Sequence, residues 1–278
     1  MRTLITLLSL FSILTATTDV EAQAVRQTKV PWDDKFRQLD EIWPTANSYR
    51  TASGAPGHDY WQQRADYIIK VALDEKDREL TGAATITYTN NSPDTLRYVW
   101  LNMDQNRFAA DSKYVAQRRS DGDNKESYGT IRGAYGHQDG DFGFKVKSIV
   151  GSAGQELNYT VVDTLMRVDL PVPLAGGGQT SFTVAWSHKI IEGEIYFGRG
   201  GYEHFEDEDN DIFQIAQWYP RLAVYSDNEG WHQQSFMGNS EFTLQFGDFD
   251  VEITVPDDHI VTATGVLQNP DTVLTSAQ

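Results

Sequence analysis

The sequence predicts an all-β domain, a saddle-shaped or sandwich-like antiparallel β architecture with few short helical pieces. Three observations point there. Apolar residues recur at every second position in a succession of segments between Tyr67 and Leu267, which is the period of a pleated strand. Clusters of Gly, Pro, Asn and Asp interrupt these segments at short intervals. Long stretches with the three-and-four spacing of an amphipathic helix do not occur among them.

The first strand is read at residues 67–73, where Tyr67, Ile69, Val71 and Leu73 alternate with Ile68, Lys70 and Ala72. A polar turn at 74–78 leads to a second strand at 80–89, with Ile86 and Tyr88 on one face and Thr85, Thr87 and Thr89 on the other. Asn90-Asn91-Ser92-Pro93-Asp94 turns the chain again. A third strand follows at 96–101, so an antiparallel meander of three strands is expected. Residues 103–141 carry several glycines and little periodicity, and read as a long loop with about one helical turn. Further strands are expected at 142–150, 156–162, 165–170 and 180–187, then at 212–218, 241–255 and 260–267. Phe182, Val184 and Trp186 share one strand face, which makes Trp186 a core residue.

Composition sets the outer limits. The chain has 278 residues, 40% of them hydrophobic, enough to bury a real core. Its formal charge is -17, which disfavours nucleic acid as a partner because such binders present a basic face. It has no cysteine, so thiol catalysis and Cys-ligated zinc are excluded.

Residues 1–22 have the three parts of a signal peptide: Met1-Arg2, an apolar run from Leu4 to Leu14, and Val20-Glu21-Ala22 before the cut. The apolar run is too short to span a bilayer comfortably. The protein is therefore expected to be exported, periplasmic or extracellular, and not membrane-spanning once the signal is removed. Residues 23–59, with Pro31, Pro44 and Pro56, read as a linker or extended segment. Residues 60–278 are the β-rich domain. Thr275-Ser276-Ala277-Gln278 looks like a helix start, with Thr275 or Ser276 as N-cap, so a truncated front piece of a longer protein is expected.

The search for chemistry is mostly negative. The histidines are His58, His137, His188, His204, His232 and His259, and no two lie three, four or five apart. There is no His-Glu-x-x-His pair and no Gly-x-Ser-x-Gly elbow. The glycine runs at 176–178 and 198–201 match no phosphate loop and read as turns. The acidic run at 203–211 could hold calcium, with a solvated loop as the default, and the acidic stretch at 121–126 fits a calcium loop poorly. Asn158-Tyr159-Thr160 is a glycosylation sequon that matters only in a host that glycosylates. No catalytic residue and no metal ligand is assigned.

One ordered set of motifs stands out: Asp211-Ile212-Phe213-Gln214-Ile215-Ala216-Gln217-Trp218-Tyr219-Pro220-Arg221, then Gly230-Trp231-His232, Gly247-Asp248-Phe249-Asp250 and Val261-Thr262-Ala263-Thr264-Gly265. It resembles the N-terminal cap domain of aminopeptidase N-like zinc metallopeptidases, in particular a secreted bacterial branch, over about residues 60–278. The resemblance implies a saddle-shaped β-domain that caps a catalytic domain carrying zinc, and therefore peptide substrate and that catalytic domain as partners. The cofactor would sit in the parent enzyme and not in this chain. Counting back from Arg221, Gln214 matches a family position that lines the pocket for the first substrate side chain. The second such position falls on Ala216, while Gln217 is one residue out of step. On a regular strand only one of Gln214 and Gln217 can face the pocket unless a bulge intervenes. Gln214 and Gln217 are the candidate substrate-binding residues. The rival reading is a free-standing secreted β-sandwich module that binds carbohydrate or protein on an aromatic platform of Trp218, Tyr219 and Trp231.

Overall fold

The computed structural model describes residues 46–114, 127–129, 140–193, 200–238 and 243–275. The expected signal peptide, most of the expected linker, the 121–126 acidic stretch and much of the 103–141 loop lie outside the described residues. The rest is built from strands. They are β1 Arg64–Asp74, β2 Glu79–Thr89, β3 Leu96–Asn102, β4 Lys145–Gly151, β5 Tyr159–Val162, β6 Leu165–Leu174 and β7 Gln179–Lys189. Then come β8 Gly201–Phe205, β9 Asn210–Gln214, β10 Arg221–Leu222, β11 Tyr225–Ser226, β12 Gly230–Trp231 and β13 Phe249–Thr254. The named helical pieces are short: a 3-10 segment, Asp104–Phe108, and one turn at Pro270–Val273.

Two sheets share one core. The first has the order β13-β1-β2-β7-β4, the second β10-β3-β6-β5, and β8-β9 and β11-β12 are separate two-stranded pairs. In β1, Ala65, Tyr67, Ile69 and Val71 are buried while Ile68 and Lys70 are exposed, the alternation read from the sequence. Tyr67, Ile86, Phe182 and Trp186 of the first sheet pack in the same cluster as Val99, Leu101, Met166 and Val168 of the second. Trp186 is fully buried, as its strand face required. Its cross-strand partner is Gly82, and a Cβ built on Gly82 would come within 2.6 Å of the indole. The absence of a side chain at Gly82 is thus what lets the ring lie flat on β2.

The meander expectation is corrected. β2 pairs with β1 and β7, whereas β3 pairs with β6 and β10 in the other sheet. The 90–94 turn is the corner between sheets, and buried Asn90 holds it. Asn90 Nδ2 donates to the Asp94 carbonyl at 2.7 Å and the Leu174 carbonyl at 3.1 Å. Its Oδ1 accepts from Gln63 Nε2 at 2.9 Å and Ser92 Oγ at 2.6 Å. Those four bonds bring the end of β2, the start of β3, the end of β6 and the approach to β1 to one point. A second correction concerns 260–267, which forms no strand: Ile260, Val261, Val266 and Leu267 are exposed, and no strand among the described residues pairs with them. The expected 241–255 strand shrinks to β13, which pairs in parallel with β1.

The described part of the N-terminal segment, 46–59, is tied down locally. Arg50 bridges Pro56, and its guanidinium grips Asp227 through two nitrogens at 2.7 to 3.0 Å.

Candidate functional site

The chemistry-bearing residues of the resembling segment converge beside the first sheet. β9 ends at Gln214, and Gln217 has a φ of 55°, a left-handed conformation unusual for a residue with a side chain. That kink breaks the two-residue alternation after the strand. All four residues from Gln214 to Gln217 line one shallow recess, together with Gln105, Phe108, His188 and Ile190. The recess has about 30 Å³ of enclosed room, space for about two water molecules. A peptide side chain would need a second wall to bury itself there. The signal that sequence reasoning missed is the kink at Gln217, since nothing in a Gln-Trp-Tyr-Pro run announces a positive φ.

His188 is the buried polar group of this recess, 4% exposed at the end of β7. Its Nδ1 lies 3.1 Å from the Lys189 carbonyl, which can only accept, so in the neutral ring Nδ1 carries the proton. Nε2 is then an acceptor, and it has no hydrogen-bond partner. The Trp218 main chain comes close enough to favour a charged ring without completing a hydrogen bond of normal geometry. Burial outweighs this and the help of Glu79, and holds the imidazole below its ordinary pKa. The spacing of the histidines in the sequence carries no sign of this burial.

The scaffold behind the recess is ionic. Asp104, fully buried, receives a short hydrogen bond from Arg221 Nη2. Burial pushes the Asp104 carboxyl up, against the pull of Arg221. The pair ties the 3-10 segment to β10, while the Leu222 amide donates to the buried Tyr67 hydroxyl at 2.9 Å. The three aromatics of the binding-module reading are spoken for. Trp231 is buried in the core, and Trp218 and Tyr219 are half-buried against it, so they form no open platform.

The acidic run at 203–211 is the β8-β9 hairpin. Asp211 is engaged by His204 at 2.7 Å and Arg78 at 3.1 Å, and the run gathers no three-ligand group of its own. Burial raises the Asp211 pKa, but the bonds from His204 and Arg78 outweigh it and leave the carboxyl below its usual range. Among the described residues one trio brings metal-binding atoms together: Glu75, Asp258 and His259, all within 4.8 Å of one another. No His-Glu-x-x-His sequence occurs in the chain. No helix of the described residues is long and apolar enough to cross a membrane.

No family model matches the sequence, and no curated protein matches it. Among solved structures, the chain is similar to a mutant M1 zinc metallopeptidase from Deinococcus radiodurans, with 15% identity and a TM-score of 0.38 over 76% of this chain and 37% of that one. The same enzyme's complex with a Tyr-Ser-Ala substrate gives 14% identity and a TM-score of 0.39, covering 77% and 38%. A further M1 zinc metallopeptidase structure from that organism gives 13% and 0.35, covering 70% and 33%. The chain thus spans little more than a third of the length of the structures it matches.

Proposed function

We propose that this chain is the substrate-facing, non-catalytic β-domain of an exported zinc aminopeptidase, with peptide substrate and the enzyme's own zinc-bearing catalytic domain as its partners. The observation that carries the reading is the recess. Two glutamines from the segment resembling aminopeptidase N-like caps line it beside a buried histidine. Glutamine offers a donor and an acceptor without charge, which suits orienting a peptide. A recess with room for about two waters is one wall of a pocket. The opposing wall, and the metal that would activate water, belong to the catalytic domain. The role of this chain is then to position the substrate and keep solvent out.

The test has two arms. The purified chain should not hydrolyse aminoacyl-p-nitroanilides with or without added zinc, while the full reading frame should do so in a zinc-dependent way. In that full-length enzyme Gln214→Ala or Gln217→Ala should raise KM for some N-terminal side chains more than for others. Zinc-dependent turnover by the chain alone, or a KM indifferent to both substitutions for every side chain tried, overturns the reading.

A further inference from the structure

We infer that Glu75, Asp258 and His259 form a binding site for a divalent transition-metal ion that clamps the segment after β13 to the β1-β2 turn. The site is separate from the recess and does not rest on the aminopeptidase reading.

Topology brings the three residues together. β13 runs parallel to β1, with Thr254 paired to Ala72. The residues leaving the end of β13 therefore arrive beside those leaving the end of β1. Glu75 opens the turn that follows β1, and the His259 amide closes a turn back onto the Pro256 carbonyl at 3.2 Å. The result places one imidazole nitrogen and two carboxylate oxygens within 4.8 Å of each other. Ligands bonded at about 2.0 to 2.2 Å to one ion sit roughly 3.4 Å apart in a tetrahedral shell, so the exposed Asp258 side chain and the turn residue Glu75 close in by about an ångström when the ion binds.

The histidine is held for the task. Its side chain is 16% exposed, whereas Asp258 is 76% exposed. Its ring lies against Phe213 of β9, with centroids 6.0 Å apart and planes tilted by 32°. Nδ1 faces Asp258 Oδ1 at 3.1 Å, and buried Nε2 has no hydrogen-bond partner. The Phe213 ring fixes the direction of the imidazole, so its nitrogens are held where the two carboxylates gather. Two carboxylates gathered beside it repel each other unless a cation sits among them. Arg78, on the same β1-β2 turn, is committed to Asp211 at 3.1 Å and to the Tyr202 ring at 3.9 Å.

The donor set defines the ion. One imidazole and two carboxylates suit zinc, nickel, cobalt or manganese better than magnesium, which prefers an all-oxygen shell with several waters. The ion would have a structural role. The hydrogen bonds described within 256–274 are local ones, such as Leu274 N to Pro270 O, so His259 is this segment's visible anchor to the rest of the fold.

The experiment uses tag-free protein and zinc as the probe, followed by calorimetric titration and thermal unfolding. One ion per chain should bind saturably, and a zinc excess about a hundred-fold over Kd should raise the melting midpoint by about 5 °C. His259→Ala and Glu75→Gln should each weaken binding at least ten-fold while their metal-free midpoints stay close to the parent. Glu75 lies on a turn, so its variant folds even if His259→Ala does not. Absence of saturable zinc binding, binding unchanged in Glu75→Gln, or magnesium binding as tight as zinc overturns the site.

Discussion

The indole of Trp186 lies across Gly82 of the neighbouring strand, so close that a methyl group on Gly82 would stand 2.6 Å from the ring. The two residues form one packing unit in the middle of the first sheet, and both should be intolerant of change. Trp186→Ala should cost about 3 to 5 kcal/mol, through lost burial and the cavity left behind. Gly82→Ala should cost about 1 to 3 kcal/mol, because a rigid ring rather than a flexible chain end must move. Urea unfolding of both single variants and the double Gly82→Ala/Trp186→Ala checks this, and the double should cost less than the sum.

Asn90 should prove sensitive to the direction of its hydrogen bonds. Asn90→Ala leaves the Leu174 carbonyl and Gln63 Nε2 without their partner, at a cost of roughly 2 to 4 kcal/mol. Asn90→Asp keeps the shape but turns an acceptor toward the Asp94 and Leu174 carbonyls. It should be at least as unstable as the alanine variant at neutral pH. A chemically denatured midpoint for Asn90→Asp close to the parent would refute the corner role.

His188 predicts a pH dependence of known sign. Burial lowers its pKa in the folded chain, so the folded state binds a proton less readily than the unfolded one. Its contribution to stability is complete above the unfolded value of about 6.5 and is lost as pH falls from there toward the folded value. The melting midpoint of the parent should fall through this window faster than that of His188→Gln. Parallel curves for the two proteins would show that the ring is not held neutral.

Gln217 should accept glycine. Its φ of 55° is costly for a side chain, most of all a β-branched one. Gln217→Gly should be neutral or stabilising, whereas Gln217→Val should cost about 1 to 2 kcal/mol. Thermal melts of the pair report the strain directly.

The strands that could be read from sequence were those whose burial is one-sided. Tyr67, Ile69 and Val71 face the core and Ile68 and Lys70 face water, so period and partnership agree. What alternation cannot carry is which strand lies next to which. Leu96 and Val99 look the same whether they extend a meander or cross to a second sheet, and the corner that separates the two outcomes is held by the side-chain hydrogen bonds of Asn90. The apolar residues of 260–267 fit a strand pattern but meet no partner ladder, so the pattern misled. At the recess, Gln214 and Gln217 could be picked out as residue types, but strand alternation puts them on opposite faces, and the strand ends at Gln214 before it reaches Gln217. His188 gave no local signal, because its burial is made by residues distant in sequence such as Phe144.

The parallel seating of β13 on β1 also fixes an order of events in time. Its contacts, such as Lys70 with Glu252, span 182 residues, whereas β1 and β2 meet across a four-residue turn at 75–78. Closing so long a loop is entropically costly, and all six β13 residues are exposed, so little burial rewards the closure. β13 is therefore the strand that joins last as the chain folds and leaves first as it opens. Its amides should exchange with solvent deuterium well ahead of those of β2 and β7, while the sheet around Trp186 stays closed.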